Sequence, residues 1–424
     1  MATAESINSV ANIIASDKDR RFVVVSAAGK RFKSDEKITD ILYACHKEAA
    51  ETGSCKSFVK VKDRYDSLKK ELGLSIDLEP IYNEIEYRIT KETLPDYAAS
   101  RGEYLSALLI AEKLNYEFID AETIIKFSDD GTFDAEYTND IASMLLKDKN
   151  NAVIPGFYGA MPNGQIRVFS RGGSDVSGAI VARAVNADVY ENWTDVNGFM
   201  MADPRIVENP KNIKTLSYKE LRELAYMGAN VLHPESIFPL KAAGIPINIK
   251  NTFEPDNKGT MIMPKTNGNG SEVITGIAGT KGFTAIFIEK SMMNNELGFC
   301  RKLLSCIEQL GINIEHMPTG IDTTSVVIHD AELEGKLDIL LERIEDAVHP
   351  DNIEVFKNLA LVATVGHGMS YKAGTAGRLF SALAKSKVNI RMIDQGSSEL
   401  NIIIGVECAD YERAIKAIYE EFVK

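Results

Sequence analysis

The chain has 424 residues, 45% of them hydrophobic and 26% charged, with 48 Lys and Arg set against 61 Asp and Glu for a net charge of −13. That length exceeds one core and implies two to four domains of roughly 100–200 residues, while the acidic balance argues against nucleic-acid and anionic-membrane partners, which need a basic field. Apolar runs such as Leu105–Ala111 fall far short of the roughly 20 residues of a membrane span, and five scattered cysteines (Cys45, Cys55, Cys300, Cys306, Cys408) fit no zinc spacing and read as reduced thiols of a cytoplasmic protein.

The N-terminal half alternates helix and strand. Ser6–Ser16 is polar and amphipathic, with Ile7, Val10, Ile13 and Ile14 on one face, and reads as a helix rather than a secretory leader. Arg21–Ala28 is a short, nearly continuous apolar run of the kind found in buried parallel strands. Ile38–Glu51 is helical, and residues 56–126 are largely helical with Gly73, Pro80 and Pro95 as punctuation. Strands are expected at Ala152–Tyr158 and Ala187–Trp193, and Asn163-Gly164 predicts a hairpin turn between Gly156–Met161 and Gln165–Phe169. This alternation implies a mostly parallel α/β sheet with helices on both faces. A polar, glycine-rich stretch at Pro264–Ser271 marks a domain boundary.

Beyond the boundary lies an internal repeat. Gly298–Ile328 and Gly374–Ile404 align without gaps at an offset of 76 residues, with identities that include Leu303/Leu379, Asn313/Asn389, Ile314/Ile390 and Gly320/Gly396. Each copy reads helix, strand, Gly turn, strand, with an apolar strand before it and a second helix after it (Leu333–Val348 and Tyr411–Val423). Two α+β modules of about 75 residues are therefore expected. The predicted division is residues 1–265, then 272–348 and 354–424, with a strand near 273–281 expected to pair with the last module.

The most informative motif is Ser170-Arg171-Gly172-Gly173-Ser174-Asp175, between a predicted strand and a predicted helix. Glycines at such a turn let backbone N–H groups approach an anion, the helix N-terminus adds positive partial charge, and Arg171 offers a fork for a carboxylate or phosphate. The same six residues also fit an ordinary glycine turn with a solvated Arg and a capping Asp. Four further segments belong with it. Ser26-Ala27-Ala28-Gly29-Lys30 is a small-residue loop after a strand, the usual ligand position of α/β sheets. In Ser100-Arg101-Gly102-Glu103, Glu103 suits a ligand ammonium or a plain helix-start carboxylate. Trp193-Thr194-Asp195, with Asp203-Pro204-Arg205 behind it, suits a nucleotide with its magnesium. Val231-Leu232-His233-Pro234 carries a histidine that fits packing better than base chemistry.

Together these segments closely resemble the aspartate kinases, in that family's order and spacing, and the C-terminal repeat resembles their tandem ACT modules, notably from Asn389-Ile390 through Gln395-Gly396 to Asn401-Ile402. The resemblance covers essentially the whole chain. It implies an amino-acid-kinase (carbamate-kinase-like) fold followed by two βαββαβ-like ACT modules. The implied reaction is transfer of the ATP γ-phosphoryl, with Mg2+, to the side-chain carboxylate of L-aspartate, the first step towards lysine, threonine and methionine. Donor and acceptor are both anions, so positioning and charge neutralisation dominate. By the same resemblance Asp175 organises the catalytic cation. Arg171, Gly172, Gly173 and Ser174 clamp aspartate carboxylate, Glu103 takes its ammonium and Thr39 contacts it. Thr194, Asp195, Met200, Arg205, Asn230 and Val231 belong to the ATP site. The ACT modules are expected to pair across subunits of a homodimer or a dimer of dimers. Pairing would place a feedback amino acid, lysine first and threonine second, against Met293, Asn295, Phe299, Asn313, Ile314, Glu315, Thr319 and Gly320.

Four departures accompany the resemblance. The family opens with a strand leading into Lys-Phe-Gly-Gly-Ser, whose lysine neutralises transition-state charge. This sequence opens at Met1-Ala2-Thr3-Ala4-Glu5-Ser6, which matches the family just after that segment. Either the sequence is incomplete at this end or the protein is not an efficient kinase. Asn230 stands where the family has Lys, Met200 where many members have Tyr, and Glu315 where lysine-sensitive relatives have Asp. Two alternatives are set beside the kinase. One is the same fold acting on glutamate, N-acetylglutamate or uridylate, which the paired modules and the two Arg-Gly motifs weigh against. The other is a catalytically silent amino-acid-binding regulator.

Overall fold

The computed structural model describes residues 1–170, 172–229, 232, 237–264, 273–396 and 398–424. They fall into two compact units, Met1–Gly198 with Val231–Pro264 and Phe199–Asn230 with Lys265–Lys424.

In the first unit, α1 (Ala4–Ala15) opens on a Thr3 capping box with Ser6 and leads to β1 (Phe22–Val25). The helices α2 (Ile38–Thr52), α3 (Val59–Leu72), α4 (Glu79–Ile89) and α5 (Asp96–Leu114) follow. Their ends fall at the glycines and prolines singled out above. Gly73 closes α3 in the left-handed conformation, Pro80 sits in the first turn of α4, and Pro95 stands at the N-cap of α5. Helix α5 is buried on all sides, including Ser100, Arg101 and Glu103, which is why it shows no amphipathic stripe in the sequence. After β2 (Glu117–Phe118), α6 (Ala121–Ile124) and α7 (Ala135–Leu146), β3 (Ala152–Pro155) lies between β1 and β2, parallel to both. All four β3 side chains are buried, as the continuous apolar run requires.

The predicted hairpin is present. β4 (Tyr158–Ala160) pairs antiparallel with β5 (Ile166–Val168), and Gly164 takes the left-handed turn conformation at φ 82°. Helix α8 (Gly173–Ala184) then leads to β6 (Tyr190–Thr194).

The second unit takes up the chain at Phe199 and contains β7 (Thr215–Ser217) and α9 (Tyr218–Tyr226). The first unit resumes with α10 (Ile237–Ala243), β8 (Ile247–Asn251), which is parallel to β6, and β9 (Thr260–Met263), antiparallel to β8.

The rest of the second unit is built on one antiparallel sheet. Its order is β11 (Thr323–His329), β10 (Gly276–Glu289), β12 (Asn352–Val365), β14 (Asn401–Glu407) and β13 (Met392–Asp394). β10 and β12 are each 14 residues long and serve both modules. Phe283–Glu289 pairs with β11 and with the start of β12, whereas Gly276–Lys281 pairs with Ala360–Val365, and the register shifts between Lys281 and Ala285. Gly282, at φ 96°, carries the irregularity. Helices α11 (Phe299–Glu308), α12 (Asp330–Leu333) and α13 (Leu337–Val348) belong to the first module, and α14 (Thr375–Lys385) and α15 (Tyr411–Val423) to the second.

Two details depart from the repeat. The helix expected at Leu333–Val348 is broken by Gly335 at φ 69°. The strand expected after Asn313 is reduced to isolated bridges at His316 and Thr319, because Pro318 between them has no N–H to donate. The equivalent residue of the second module, Asp394, lies within β13 and accepts from His316 Nδ1 at 2.6 Å, which ties the two modules together.

Residues 199–230, which the sequence places in the kinase half, are bonded into the second unit. The Ile277 N–H donates to Met201 O at 2.7 Å, and Lys211 donates its N–H to the Tyr419 hydroxyl at 2.9 Å and its Nζ to Val423 O at 2.6 Å. The buried Glu220 carboxylate accepts the Ser217 N–H and hydroxyl (2.8 and 2.7 Å), the Thr275 hydroxyl (2.6 Å) and the His367 N–H (3.1 Å). Those four donors hold its pKa below the ordinary glutamate value despite burial. Glu220→Ala strands them at a cost of roughly 2–4 kcal/mol. Hydrogen exchange should then quicken at the Ser217 and His367 amides; unchanged exchange there would contradict this account.

Candidate functional site

The candidate acceptor site sits at the carboxyl ends of β1 and β3, the usual ligand position of an open α/β sheet. The Gly156 N–H, just past β3, donates to Val25 O at 2.9 Å, so the two strand ends are tied where the Ser26–Lys30 loop departs. Gly156 also approaches the SRGGSD turn so closely that a Cβ there would lie 2.8 Å from Ser174 Cα, Cβ and Oγ. Gly172, at φ 57°, is the N-cap of α8. Gly173 has no room for a Cβ, which would lie 2.6 Å from the Phe157 ring. Phe157 itself is at φ 81°, a conformation that costs a residue with a Cβ about 1–2 kcal/mol. Its N–H donates to Ser177 Oγ at 3.0 Å, and Ser177 donates to Gly173 O at 2.9 Å. Gly172, Gly173 and Ser174 are thus set against the strand ends by packing.

Glu103 faces the same loop. It is 6% exposed, and its Oε2 has no hydrogen-bond partner. Burial pushes its pKa up to about 7, opposed by a hydrogen bond from the Ala27 N–H. A buried carboxylate oxygen without a donor is costly to leave so and is suited to a ligand cation. The preceding residue explains the proximity, since a Cβ on Gly102 would lie 2.8 Å from Ala27 Cβ and 3.1 Å from Ile38 Cγ2. The same approach brings up the first turn of α2, where Thr39 is half-buried. Arg101, by contrast, is structural. It is buried, donates to Ser100 Oγ, and its guanidinium lies 4.5, 4.6 and 5.0 Å from the ring centroids of Tyr97, Tyr104 and Tyr158.

Asp175 lies in the first turn of α8, where the helix N-terminus favours a negative charge. Asn192 Nδ2 of β6 donates to its Oδ1 at 2.8 Å, and the buried Tyr190 hydroxyl donates to its backbone O at 3.3 Å. Burial and the Asp175 charge push the Tyr190 phenol well up, so it remains a donor. Two residues beyond Asn192, Thr194 donates to Asp195 Oδ1 at 3.2 Å, and Asp195 is exposed. The Thr252 N–H, just past β8, donates to Thr194 O at 2.9 Å, which sets the 252–257 loop beside them. Thr39, Gly172, Gly173, Ser174, Asp175, Thr194 and Asp195 therefore belong to one connected set of strand ends and helix starts, and Glu103, which lies within α5 rather than at a helix start, joins them through the Gly102 contact with the loop after β1. Arg171, Asn230, Val231 and His233 lie outside the described residues. Sequence reasoning passed over Asn192 and Tyr190, since β6 reads Tyr-Glu-Asn-Trp-Thr and a further polar residue in it carries no signal of its own. It passed over Gly156, whose role shows only in the fold.

Met200 and Arg205 belong to the second unit. Met200 bridges to Asn212, and the Arg205 guanidinium is exposed and paired with Asp203 at 2.6 Å. The predicted effector residues lie in the first module. Met293 and Phe299 are buried in its core, so their side chains pack rather than line a surface. Asn295 is exposed, Ile314 half-buried, and Asn313 donates to Glu332 at 3.4 Å. Thr319 Oγ1 lies 3.1 Å from Thr324 Oγ1, and a Cβ on Gly320 would come within 2.8 Å of Thr323 Oγ1. Glu315 accepts a hydrogen bond from the Tyr226 hydroxyl at the end of α9.

Among the described residues, no group of three or more His, Cys, Asp or Glu side chains could by itself hold a metal, and no helix is long and apolar enough to cross a membrane.

Comparison with known proteins places this geometry. The model of the amino acid kinase family matches residues 1–251, and that of an ACT domain matches residues 362–422. Aspartokinase 3 of Bacillus subtilis (strain 168) is 36% identical over 439 residues, covering 100% of this chain and 96% of that protein. The crystal structure of Clostridium acetobutylicum aspartate kinase superposes with a TM-score of 0.95 at 50% identity, over 99% of this chain and 97% of that one. The fold is shared further with E. coli aspartokinase III in complex with aspartate and ADP, at 24% identity and a TM-score of 0.74 over 100% and 97% of the two chains. The chain thus belongs to the amino acid kinase family and, within it, to the aspartokinases, which join that kinase fold to ACT domains.

Proposed function

We propose that this aspartokinase transfers the γ-phosphoryl of ATP to the side-chain carboxylate of L-aspartate, giving 4-phospho-L-aspartate, in the cytoplasm, as the first step towards lysine, threonine and methionine. The observation that carries the acceptor assignment is Glu103: a buried carboxylate with an unpartnered oxygen, beside a small-residue loop and a glycine turn. An α-ammonium fits there, and the backbone N–H groups and Ser174 hydroxyl of the 172–174 turn suit the substrate's carboxylate. Mg2+, bound with ATP, would neutralise developing charge on the phosphates. Asp175, oriented by Asn192, is the residue placed to hold it, and a single protein carboxylate accords with a cation shared mainly with phosphate oxygens. Thr194, Asp195, Met200 and Arg205, with Asn230 and Val231, are proposed for the nucleotide.

A coupled ADP-release assay should show turnover that depends on aspartate, and Asp175→Asn should lower kcat by about 10²-fold or more. Equal turnover with glutamate, N-acetylglutamate or uridylate would reject the substrate assignment.

The Glu103 proton gives a second test. Its pKa is about 7 in the folded chain against an ordinary 4.5, so within that interval the folded state keeps a proton that the unfolded state has lost. Stability of the ligand-free protein therefore falls as pH rises through the interval. By about pH 8 the difference approaches 3 kcal/mol, in order of magnitude. Glu103→Gln should flatten this part of the melting-temperature profile. Calorimetry on the wild type should show aspartate binding more tightly at about pH 8 than at about pH 6, because the ammonium needs the ionised partner. A pH-independent affinity would count against Glu103 as the ammonium site.

Regulation by lysine, with threonine second, is proposed at the first ACT module of a homodimer or dimer of dimers. Met292, Leu297 and Ile321 expose 64%, 99% and 70% of their surface beside Asn295, Thr319 and Gly320. The Asn294 N–H donates to Ile321 O at 3.2 Å, which joins the two loops. Such an apolar patch suits burial against a second copy of the chain. Glu315 is the carboxylate for the effector ammonium, and Tyr226 competes for it. Tyr226→Phe should lower the lysine concentration for half-inhibition by about fivefold, the worth of one exposed hydrogen bond of about 1 kcal/mol. An unchanged or higher concentration would remove Tyr226 from this role.

A further inference from the structure

Helix α3 carries none of the motif residues, yet two successive side chains of it are buried beneath the acceptor loop. Tyr65 is fully buried, and its hydroxyl donates to Gly102 O at 2.6 Å. With its one proton so committed, the same oxygen serves as acceptor for Ser106 Oγ at 3.0 Å and for the Ala28 N–H at 3.5 Å. Burial keeps this phenol protonated. It therefore joins the Ala27–Gly29 turn to the turn of α5 that presents Glu103.

Arg64 stands beside it, 5% exposed in its side chain. It donates from one amino group to Gly29 O at 3.0 Å and from the other to Asp35 Oδ2 at 2.6 Å. Asp35 also accepts from the Arg31 N–H at 2.9 Å and pairs with the Arg31 guanidinium at 3.0 Å. These contacts hold the Asp35 carboxyl well below the usual carboxylate range. Asp35 lies two residues before Lys37, the N-cap of α2, in whose first turn Thr39 lies. Arg64 thus fixes the far end of the same loop and its exit toward α2.

We propose that Arg64 and Tyr65 are positioning residues for the amino-acid acceptor: they set the separation of the Ala27–Gly29 turn from Glu103 and from the first turn of α2, and through it the affinity for L-aspartate. This rests on the reading of Glu103 as the ammonium site. Tyr65 has no exposed surface and the Arg64 donors described here are spent on Gly29 and Asp35, so both act through the groups they hold. Displacements well under 1 Å matter at such a site, since about 1 Å can cost 10²-fold.

The test is Tyr65→Phe, Arg64→Lys and Glu103→Gln, each assayed by ADP release at varied aspartate and at varied ATP, with aspartate affinity measured separately by calorimetry. The expected result is a rise of about tenfold in KM and Kd for aspartate in Tyr65→Phe and Arg64→Lys, with KM for ATP unchanged and kcat at saturating aspartate within about twofold. A merely structural role would lower the melting temperature and the active fraction and leave aspartate KM and Kd untouched in the surviving enzyme; that result, or an equal rise in KM for ATP, overturns the proposal. Should Tyr65→Phe fail to fold, Arg64→Lys, which keeps the charge and loses the fork, decides by the same readouts. An unchanged aspartate Kd in Glu103→Gln overturns the acceptor reading itself. A raised Kd in Glu103→Gln with unchanged values in the two α3 variants overturns only the positioning role.

Discussion

The acceptor side of this kinase depends on backbone segments meeting at distances that no side chain permits. At Gly102, Gly156 and Gly173 an added Cβ would fall within 3 Å of Ala27, Ser174 and Phe157 respectively. Each contact joins one element of the site to another: α5 to the loop after β1, the end of β3 to the SRGGSD turn, and that turn to the start of the β4 hairpin. Burial follows from this closeness. Glu103 loses its water because the loop lies against the preceding residue, Gly102, and the strength of a charge in such a place comes from its lack of solvent. A site assembled this way has little slack, and its geometry is settled by packing before any ligand arrives.

The second unit solves a different problem. Its two modules share β10 and β12, so neither owns a complete sheet and neither can move far without bending the other. Residues 199–230 are bonded onto this sheet through Glu220, Thr275 and His367, through Ile277 and Met201, and through Lys211 and α15. The same stretch ends in α9, whose last residue reaches Glu315. A carboxylate proposed to read an amino acid is therefore one hydrogen bond away from a segment that also carries Met200 and Arg205. Coupling needs a physical element that two sites can bias, and the regulation proposed above would give α9 that role.

Much of this was legible in the residues. The 76-residue repeat, the Asn163-Gly164 hairpin, the helix breaks at Gly73, Pro80 and Pro95, and the apolar run of β3 all report local physics, and the folded chain follows them. The repeat misled at Pro318, where a missing N–H reduces a strand to bridges, and at Gly335, where a left-handed residue splits a helix. Ser174 and Asp175 come together because both sit in the first turn of α8, whereas Glu103, expected at a helix start, lies within α5 and reaches the site because Gly102 lets that helix approach the loop after β1. Met293 and Phe299 are expected effector contacts by the family resemblance; their apolar side chains pack in the core of the first module. Tyr65, Arg64, Gly156 and Asn192 could not be read from spacing. Their partners lie 37, 35, 131 and 17 residues away (Gly102, Gly29, Val25 and Asp175), and only the fold makes them neighbours.

The grouping of residues 199–230 bears on how such a chain can be divided. The family match runs through residue 251, and a cut made at the glycine-rich boundary near residue 264 would look natural by sequence. It would separate α9 from the strands that satisfy Glu220, leaving a buried carboxylate without half its donors and an apolar helix face, built on Leu221 and Leu224, with nothing to cover it. A catalytic half excised that way would carry its own exposed seam. Residues 199–230 therefore keep their partners only in a fragment that also contains the strands beyond residue 273.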